Sequence, residues 1–291
     1  MTALRWDAEG LQLALQAQLP QLPELPELPS LTVEVVARCA STNTVLLERA
    51  RAGNTQPCLL LAEEQTHGRG RLGRTWQSAH AQAVGSSLTF SLALPLAPKD
   101  WQGLSLAVGV ALATALEATC DTERHPIGLK WPNDLWLLDG PGCGRKLAGT
   151  LIETVASQGQ RVVVVGVGIN VLPQPEADTD SRLSSGYACL AELNASITAP
   201  QAWHQVLPHL LRALLTFEES GFSTFVNAFS QRDLLSGQTV RTTQQGLEVG
   251  YCEGINQQGA LLVRDRATQV LHAIHSGEVS VRPLAALSSV M

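Results

Sequence analysis

Two apolar runs constrain the architecture more than any other feature of the chain: Lys146-Leu147-Ala148-Gly149-Thr150-Leu151-Ile152-Glu153 and Arg161 to Val171, which flank Ser157-Gln158-Gly159-Gln160. They read as a hairpin, because so short a connection joins antiparallel neighbours whereas a parallel crossover needs a dozen or more residues. Upstream the pattern differs. Val33 to Val36 reads as a β-branched strand, Ser41-Thr42-Asn43 as capping residues for a helix from Thr44 to Ala52, and Leu59 to Ala62 as the next strand. Strands joined through a helix in one region and by a tight turn in another predict a mixed β-sheet flanked by helices, α+β or α/β in character.

Other segments extend this frame. Leu4, Ala8, Leu11 and Leu15 recur at helical spacing, and the Leu-Pro segment from Leu19 to Pro29 favours an extended spacer over a Pro-rich docking motif. Ser87 to Leu94 returns to the sheet as an alternating strand. Gly103 to Ala118 is a mostly apolar, buried helix, and Ile127 to Leu138 is a strand pair broken around Pro132. Helices are expected between Ala188 and Leu234. Beyond Gly237 short strands and glycine turns predict a small C-terminal β-barrel. The expected division is 1–31, an N-terminal helix and linker; 32–235, the main domain; and 236–291, the barrel. With 291 residues, 45% of them hydrophobic, the chain can fill both cores.

Several function classes are disfavoured. The longest apolar helix candidate, Leu104 to Leu116, is too short to cross a bilayer, and the N-terminus lacks a basic start followed by an apolar core, so a cytoplasmic location is expected. The 6 cysteines form no C-x-x-C pair, and neither His272 with His275 nor His204 with His209 has a spacing suited to one shared metal. A net charge of -6 disfavours general nucleic-acid binding.

Against that acidic body stands Gly68-Arg69-Gly70-Arg71-Leu72-Gly73-Arg74-Thr75-Trp76. Glycines let a backbone approach a ligand and arginines offer forked donors, so the stretch reads as an anion site or, more plainly, as a solvated surface loop. It also fits G-x-G-x-x-G. The dinucleotide fold, however, needs a helix at the last glycine and an acidic residue about 20 positions on, and a strand-like run follows instead. Lys130 lies in an apolar setting before Trp131-Pro132-Asn133-Asp134. A lysine turned inward must find an anion, whereas one beside a tryptophan at the surface need not, and both readings stay open. Lys146 carries a weaker signal. No P-loop and no G-x-S-x-G occurs, and Glu63-Glu64 face opposite ways in a strand, so cationic chemistry remains.

Taken in order, Ser41-Thr42-Asn43, Glu64-Gln65 with the Gly68 to Trp76 loop, Lys130-Trp131-Pro132-Asn133-Asp134, Lys146-Leu147-Ala148-Gly149 and Gly166-Val167-Gly168-Ile169-Asn170 resemble the biotin protein ligases. The resemblance runs from about Val33 to Pro283 and takes in the barrel at Gly254-Ile255 and Gly259 to Leu262. It implies the class II synthetase-like catalytic fold and a two-step reaction. Biotin and ATP give biotinyl-adenylate and pyrophosphate, and a lysine of a carrier protein, such as the acetyl-CoA carboxylase subunit, then takes the acyl group. It further implies that Ser41, Thr42, Asn43, Gln65, Arg69, Gly70, Arg71, Lys130 and Gly168 hold biotin. Arg71, Arg74, Trp76, Asn133, Lys146, Asn170 and Tyr187 would hold ATP or the adenylate, and Lys130, Arg69 and Arg71 would be catalytic. Magnesium is expected with ATP, its ligands unassigned. Leu72 stands where the family commonly has arginine, Gln77-Ser78-Ala79 where Ser-Pro is usual, and Tyr187 where a tryptophan often stacks on adenine. The polar stretch before Tyr187 would be a mobile flap. No winged helix-turn-helix precedes Val33, so no DNA partner is expected; a homodimer is left open. A lipoyl or octanoyl ligase and a non-catalytic biotin-binding regulator are the rival expectations.

Overall fold

The computed structural model describes residues 6–18, 31–77, 84–118, 125–140, 142–173, 186–276 and 279–284. The Leu-Pro spacer and most of the expected flap, 174–185, lie outside these residues, as do Ser78 and Ala79.

In chain order the elements are α1 (Ala8–Gln18), β1 (Thr32–Cys39), α2 (Thr42–Arg51), β2 (Cys58–Gln65), β3 (Ser87–Pro95), α3 (Leu104–Glu117), β4 (Ile127–Lys130), β5 (Asp134–Gly140), β6 (Cys143–Ser157) and β7 (Gln160–Asn170). After these come α4 (Ala199–Ser220), α5 (Val226–Ser230) and five short strands. These are β8 (Thr239–Thr242), β9 (Val249–Ile255), β10 (Leu261–Asp265), β11 (Leu271–Ile274) and β12 (Val281–Pro283).

The main sheet is mixed, ordered β1-β2-β3-β7-β6-β5-β4. Its first pair is parallel and the rest antiparallel, as the helix-separated and turn-separated segments required. The β6–β7 hairpin closes through Gln158 and Gly159, both with positive φ (48° and 79°), a two-residue turn whose twist matches its strands. β3 is buried almost throughout. The reason is two-sided cover. On one face Leu59, Leu61, Leu88, Phe90, Val163 and Val165 join the α3 and α4 core, and on the other Leu46, Leu47 and Ala50 of α2 pack on Leu60, Ala93, Val162 and Val164.

The C-terminal strands form an antiparallel sheet ordered β11-β10-β9-β8-β12. Contacts from this sheet and from the segment leading into it reach the main sheet. Trp131 Nε1 donates to Gly259 O (3.1 Å), and Leu129 exchanges backbone hydrogen bonds with Arg232 O (2.7 Å) and Leu234 N (3.0 Å). Asp233 sits in this junction with one carboxylate oxygen unpaired. Burial pushes its pKa up to about 6 from 3.8, against the pull of the Leu235 and Ser236 amides. The folded state therefore holds a proton that the unfolded chain releases, and stability falls as pH rises across that interval. Asp233→Asn is expected to raise the melting temperature at pH 7.5 and to change it little at pH 4; thermal melts at the two pH values check this.

Candidate active site

The site is assembled on the sheet face that α2 covers. Along β7, Gly166 and Gly168 point to this face, and both leave room for a neighbour. A Cβ on Gly166 would lie 2.2 Å from Asn43 Oδ1, and one on Gly168 2.3 Å from the Trp76 ring. The missing side chains admit α2 on one side and the arginine loop on the other.

That loop is a narrow hairpin. Gly70 N donates to Arg74 O (2.7 Å), Trp76 N to Gly68 O (2.9 Å), and Arg69 bridges Thr75. Gly68 is required, because a Cβ there would meet Trp76 O at 2.3 Å. At the tip, Leu72 has φ 56°, a left-handed conformation costly to a residue with a Cβ, and strain of this kind concentrates at functional sites. The tip also reaches the C-terminal sheet: Arg71 donates to Ser276 O and Arg74 to Ser280 Oγ (3.1 Å).

Four cations then converge on one carboxylate. Lys146 Nζ lies 2.7 Å from Asp134 Oδ1, and Lys130 Nζ lies 5.2 Å from the centre of the Trp136 ring. Burial depresses the Lys130 pKa, Asp134 opposes that shift, and Lys146, Arg74 and Arg282 add to it. Burial would raise Asp134, but the surrounding cations, Lys146 first, outweigh it and hold this carboxyl below its usual range. Arg71 is depressed chiefly by burial, with Asp134 opposing. Arg71, Arg74, Lys130, Asn133 and Asp134 line a small cavity. A larger one of about 870 Å³ runs beside it between the loop, Thr150 to Thr154 of β6, and Trp101 to Ser105. One carboxylate among four cations leaves the site short of negative charge, which a phosphate would supply.

The remaining predicted residues divide into two groups. Ser41, Thr42, Asn43 and Gln65 come together with Ser91 of β3 and Glu153 of β6, the last of which lines the larger cavity, and Gly168 lies under Trp76. The capping role expected for Thr42 and Asn43 is corrected here. The helix begins at Thr42, Ser41 is its N-cap without a side-chain bond, and the buried Thr42 and Asn43 side chains pair with the sheet beneath them. The second group has its polar atoms engaged with backbone. Asn133 Nδ2 donates to Thr150 O (2.7 Å), Asn170 Nδ2 to Ala188 O (3.1 Å) and Tyr187 OH to Leu172 O (3.0 Å). Arg69 forks onto Glu153 (2.9 and 3.1 Å), beside Gly70. Sequence reasoning gave no role to Asp134, Glu153 or Ser91. The acidic residue closing Lys130-Trp131-Pro132-Asn133-Asp134 was a readable signal for the first, and no local signal existed for the other two.

Residues 35–170 match the model of the biotin/lipoate A/B protein ligase family. Among characterised proteins, the chain is 35% identical over 241 residues to the biotin–[acetyl-CoA-carboxylase] ligase of Mycobacterium tuberculosis, covering 79% of this chain and 82% of that one. It is 32% identical over 258 residues to the bifunctional ligase/repressor BirA of Salmonella typhimurium, covering 86% and 74%. Among solved structures, the biotin protein ligase from Aquifex aeolicus in complex with biotin and ATP superposes with a TM-score of 0.69 at 28% identity, over 87% of this chain and 99% of that one. With relatives of this identity and coverage, and with the mixed sheet superposing on a ligase of the same kind, the protein belongs to the biotin/lipoate A/B protein ligase family, among its biotin protein ligases.

Proposed function

We propose that the protein activates biotin with ATP to biotinyl-5'-AMP and transfers the biotinyl group to a specific lysine of a biotin carrier protein, the acetyl-CoA carboxylase subunit being the expected acceptor. The observation that carries this is the convergence of Lys130, Lys146, Arg71 and Arg74 on Asp134 under a glycine-arginine hairpin. In the first step the biotin carboxylate attacks the α-phosphate and pyrophosphate leaves. Negative charge builds on the phosphoryl oxygens as this happens, and cations already in place stabilise that state more than the ground state. Lys130 and Lys146 are assigned to the reacting phosphate and carboxylate, Arg71 and Arg74 to the adenylate under the loop, and Tyr187 to the adenine face.

The fit to magnesium rests on Asp134. Among the described residues no three His, Cys, Asp or Glu side chains converge, but magnesium commonly uses one or two carboxylates together with substrate phosphates, and Asp134 would hold it there. When bound, the ion would neutralise phosphate charge.

The second step needs an entry for a protein lysine. Ladder pairing of β5 with β6 ends at Gly149 and Asn133 still holds Thr150, so among the described residues β6 from Leu151 onward is ladder-paired on the β7 side only, and the large cavity opens along that stretch. No helix among the described residues is long and apolar enough to cross a membrane, and a cytoplasmic carrier forms part of the proposal. Incubation with ATP, magnesium, biotin and a carboxylase carrier domain is expected to add one biotin to one lysine, read by intact-mass and peptide analysis. An unmodified carrier, with the domain folded, would remove the transfer step from the proposal.

A further inference from the structure

Lys130 ends the short edge strand β4, the kind of place where a sheet frays first, yet the residues on either side of it are held by other parts of the chain. The backbone of Leu129 bonds to Arg232 and Leu234, which supply the partner that an edge strand lacks. Beyond Lys130 the turn of Trp131, Pro132 and Asn133 leads to β5. Three elements hold that turn. Asn133 Nδ2 donates to Thr150 O of β6, Ser105 Oγ in the first turn of α3 donates to Pro132 O at 2.9 Å, and the buried Trp131 indole donates to Gly259 O. The directions follow from the groups, since a carbonyl only accepts and an indole N–H only donates. Gly259 is itself seated against the start of the same helix. Its φ is 79°, and a Cβ there would lie 2.9 Å from Leu106 Cδ1 and 3.0 Å from Gly103 Cα. The opening turn of α3 therefore fixes both the donor to Pro132 and the acceptor of Trp131.

We propose that Ser105 and Trp131 are positioning residues for the reaction: they clamp the turn after Lys130 between α3 and the β9–β10 turn of the C-terminal sheet, and so hold Lys130 in the small cavity. This rests on the role assigned to Lys130 above and makes it more specific. The polar hydrogens of both residues are committed to backbone carbonyls, so both act through the turn. A cation stabilises developing charge only where it already stands, and a small displacement costs rate more than ground-state binding. The C-terminal sheet thereby takes part in the first chemical step through Lys130. Ser105→Ala deletes one donor and Ser105→Thr keeps it, while Trp131→Phe removes the indole N–H and retains an aromatic ring. All three leave the four cations of the cluster in the chain.

Pyrophosphate exchange and melting temperature are measured on the full chain for Ser105→Ala, Ser105→Thr and Trp131→Phe, each alone and combined with Lys130→Met. Alone, Ser105→Ala and Trp131→Phe are expected to lower kcat about tenfold, as a displaced donor does, while the KM for biotin moves by less than about twofold. Ser105→Thr keeps most of the rate. In the Lys130→Met background the same substitutions are expected to change the residual kcat by less than about twofold, because residues acting as a unit are lost only once. An active wild type whose variants lose as much rate in that background as alone overturns the clamp, and so does an unmoved kcat in the folded single variants. A loss in Ser105→Ala that Ser105→Thr shares overturns it as well. Where Trp131→Phe does not fold, the Ser105 series decides alone. A wild type without biotin-dependent exchange overturns the ligase assignment and this proposal with it.

Discussion

Lys130→Met is expected to lower the rate of biotin-dependent pyrophosphate exchange on the order of 10²-fold, the usual consequence of removing one preorganised donor from a developing oxyanion. The fold is expected to survive. Methionine keeps the stem's length and packing over Trp136, and removing one cation from beside Lys146, Arg74 and Arg282 relieves repulsion while Asp134 keeps its 2.7 Å bond to Lys146. A melting temperature equal to or above wild type, together with the lost rate, would place the effect in the chemistry. The pH profile gives an independent check. Burial and neighbouring cations depress the Lys130 pKa, so an activity that needs the ammonium falls as pH rises through a value below the ordinary lysine range. Lys130→Arg, if active, moves that alkaline fall upward because a guanidinium stays charged. An alkaline limb identical in wild type and Lys130→Arg would assign the limb to another group.

Arg71→Gly is expected to release the activated intermediate. The guanidinium links the loop tip to Ser276 O in the C-terminal sheet and adds charge beside Asp134, so its loss removes both a latch and a cation. Escape of biotinyl-adenylate, read as biotin on bystander lysines of an added inert protein, is expected to rise by about tenfold or more, in line with one lost charge-assisted hydrogen bond. Pyrophosphate exchange is expected to persist, because Lys130 and Lys146 remain. A leak equal to wild type would take Arg71 out of the retaining role and leave it as a brace between the two sheets.

Much of the scaffold was legible because it is written in short-range patterns. The β6–β7 hairpin follows from two β-branched runs and a Gln-Gly turn, and the parallel β1–β2 pair from a helix between strands. The C-terminal strands could be found from their spacing but not ordered. That β12 returns to pair with β8 is a long-range fact which no local spacing encodes. The arginine loop could be singled out from its letters but not given a shape: its glycines serve a close approach of Gly68 to Trp76 in a hairpin bonded across its base. Ser41-Thr42-Asn43 shows the limit most clearly. Capping and buried networks favour the same small polar residues, and what separates the two is a partner distant in sequence, Ser91 for Asn43 and Thr42, Glu153 for Asn43. The cationic cluster was half legible, since its lysines stand in distinctive strings. That Lys130 and Lys146 share one carboxylate, Asp134, becomes visible only when β5 pairs β4 with β6.

The most direct test of the central claim is exchange of labelled pyrophosphate into ATP by the purified chain with magnesium, run side by side with biotin, lipoate and octanoate. The account predicts exchange that depends on biotin and is absent with the other two acids. Exchange driven by lipoate or octanoate in preference to biotin, or none with any acid in folded protein, would contradict it.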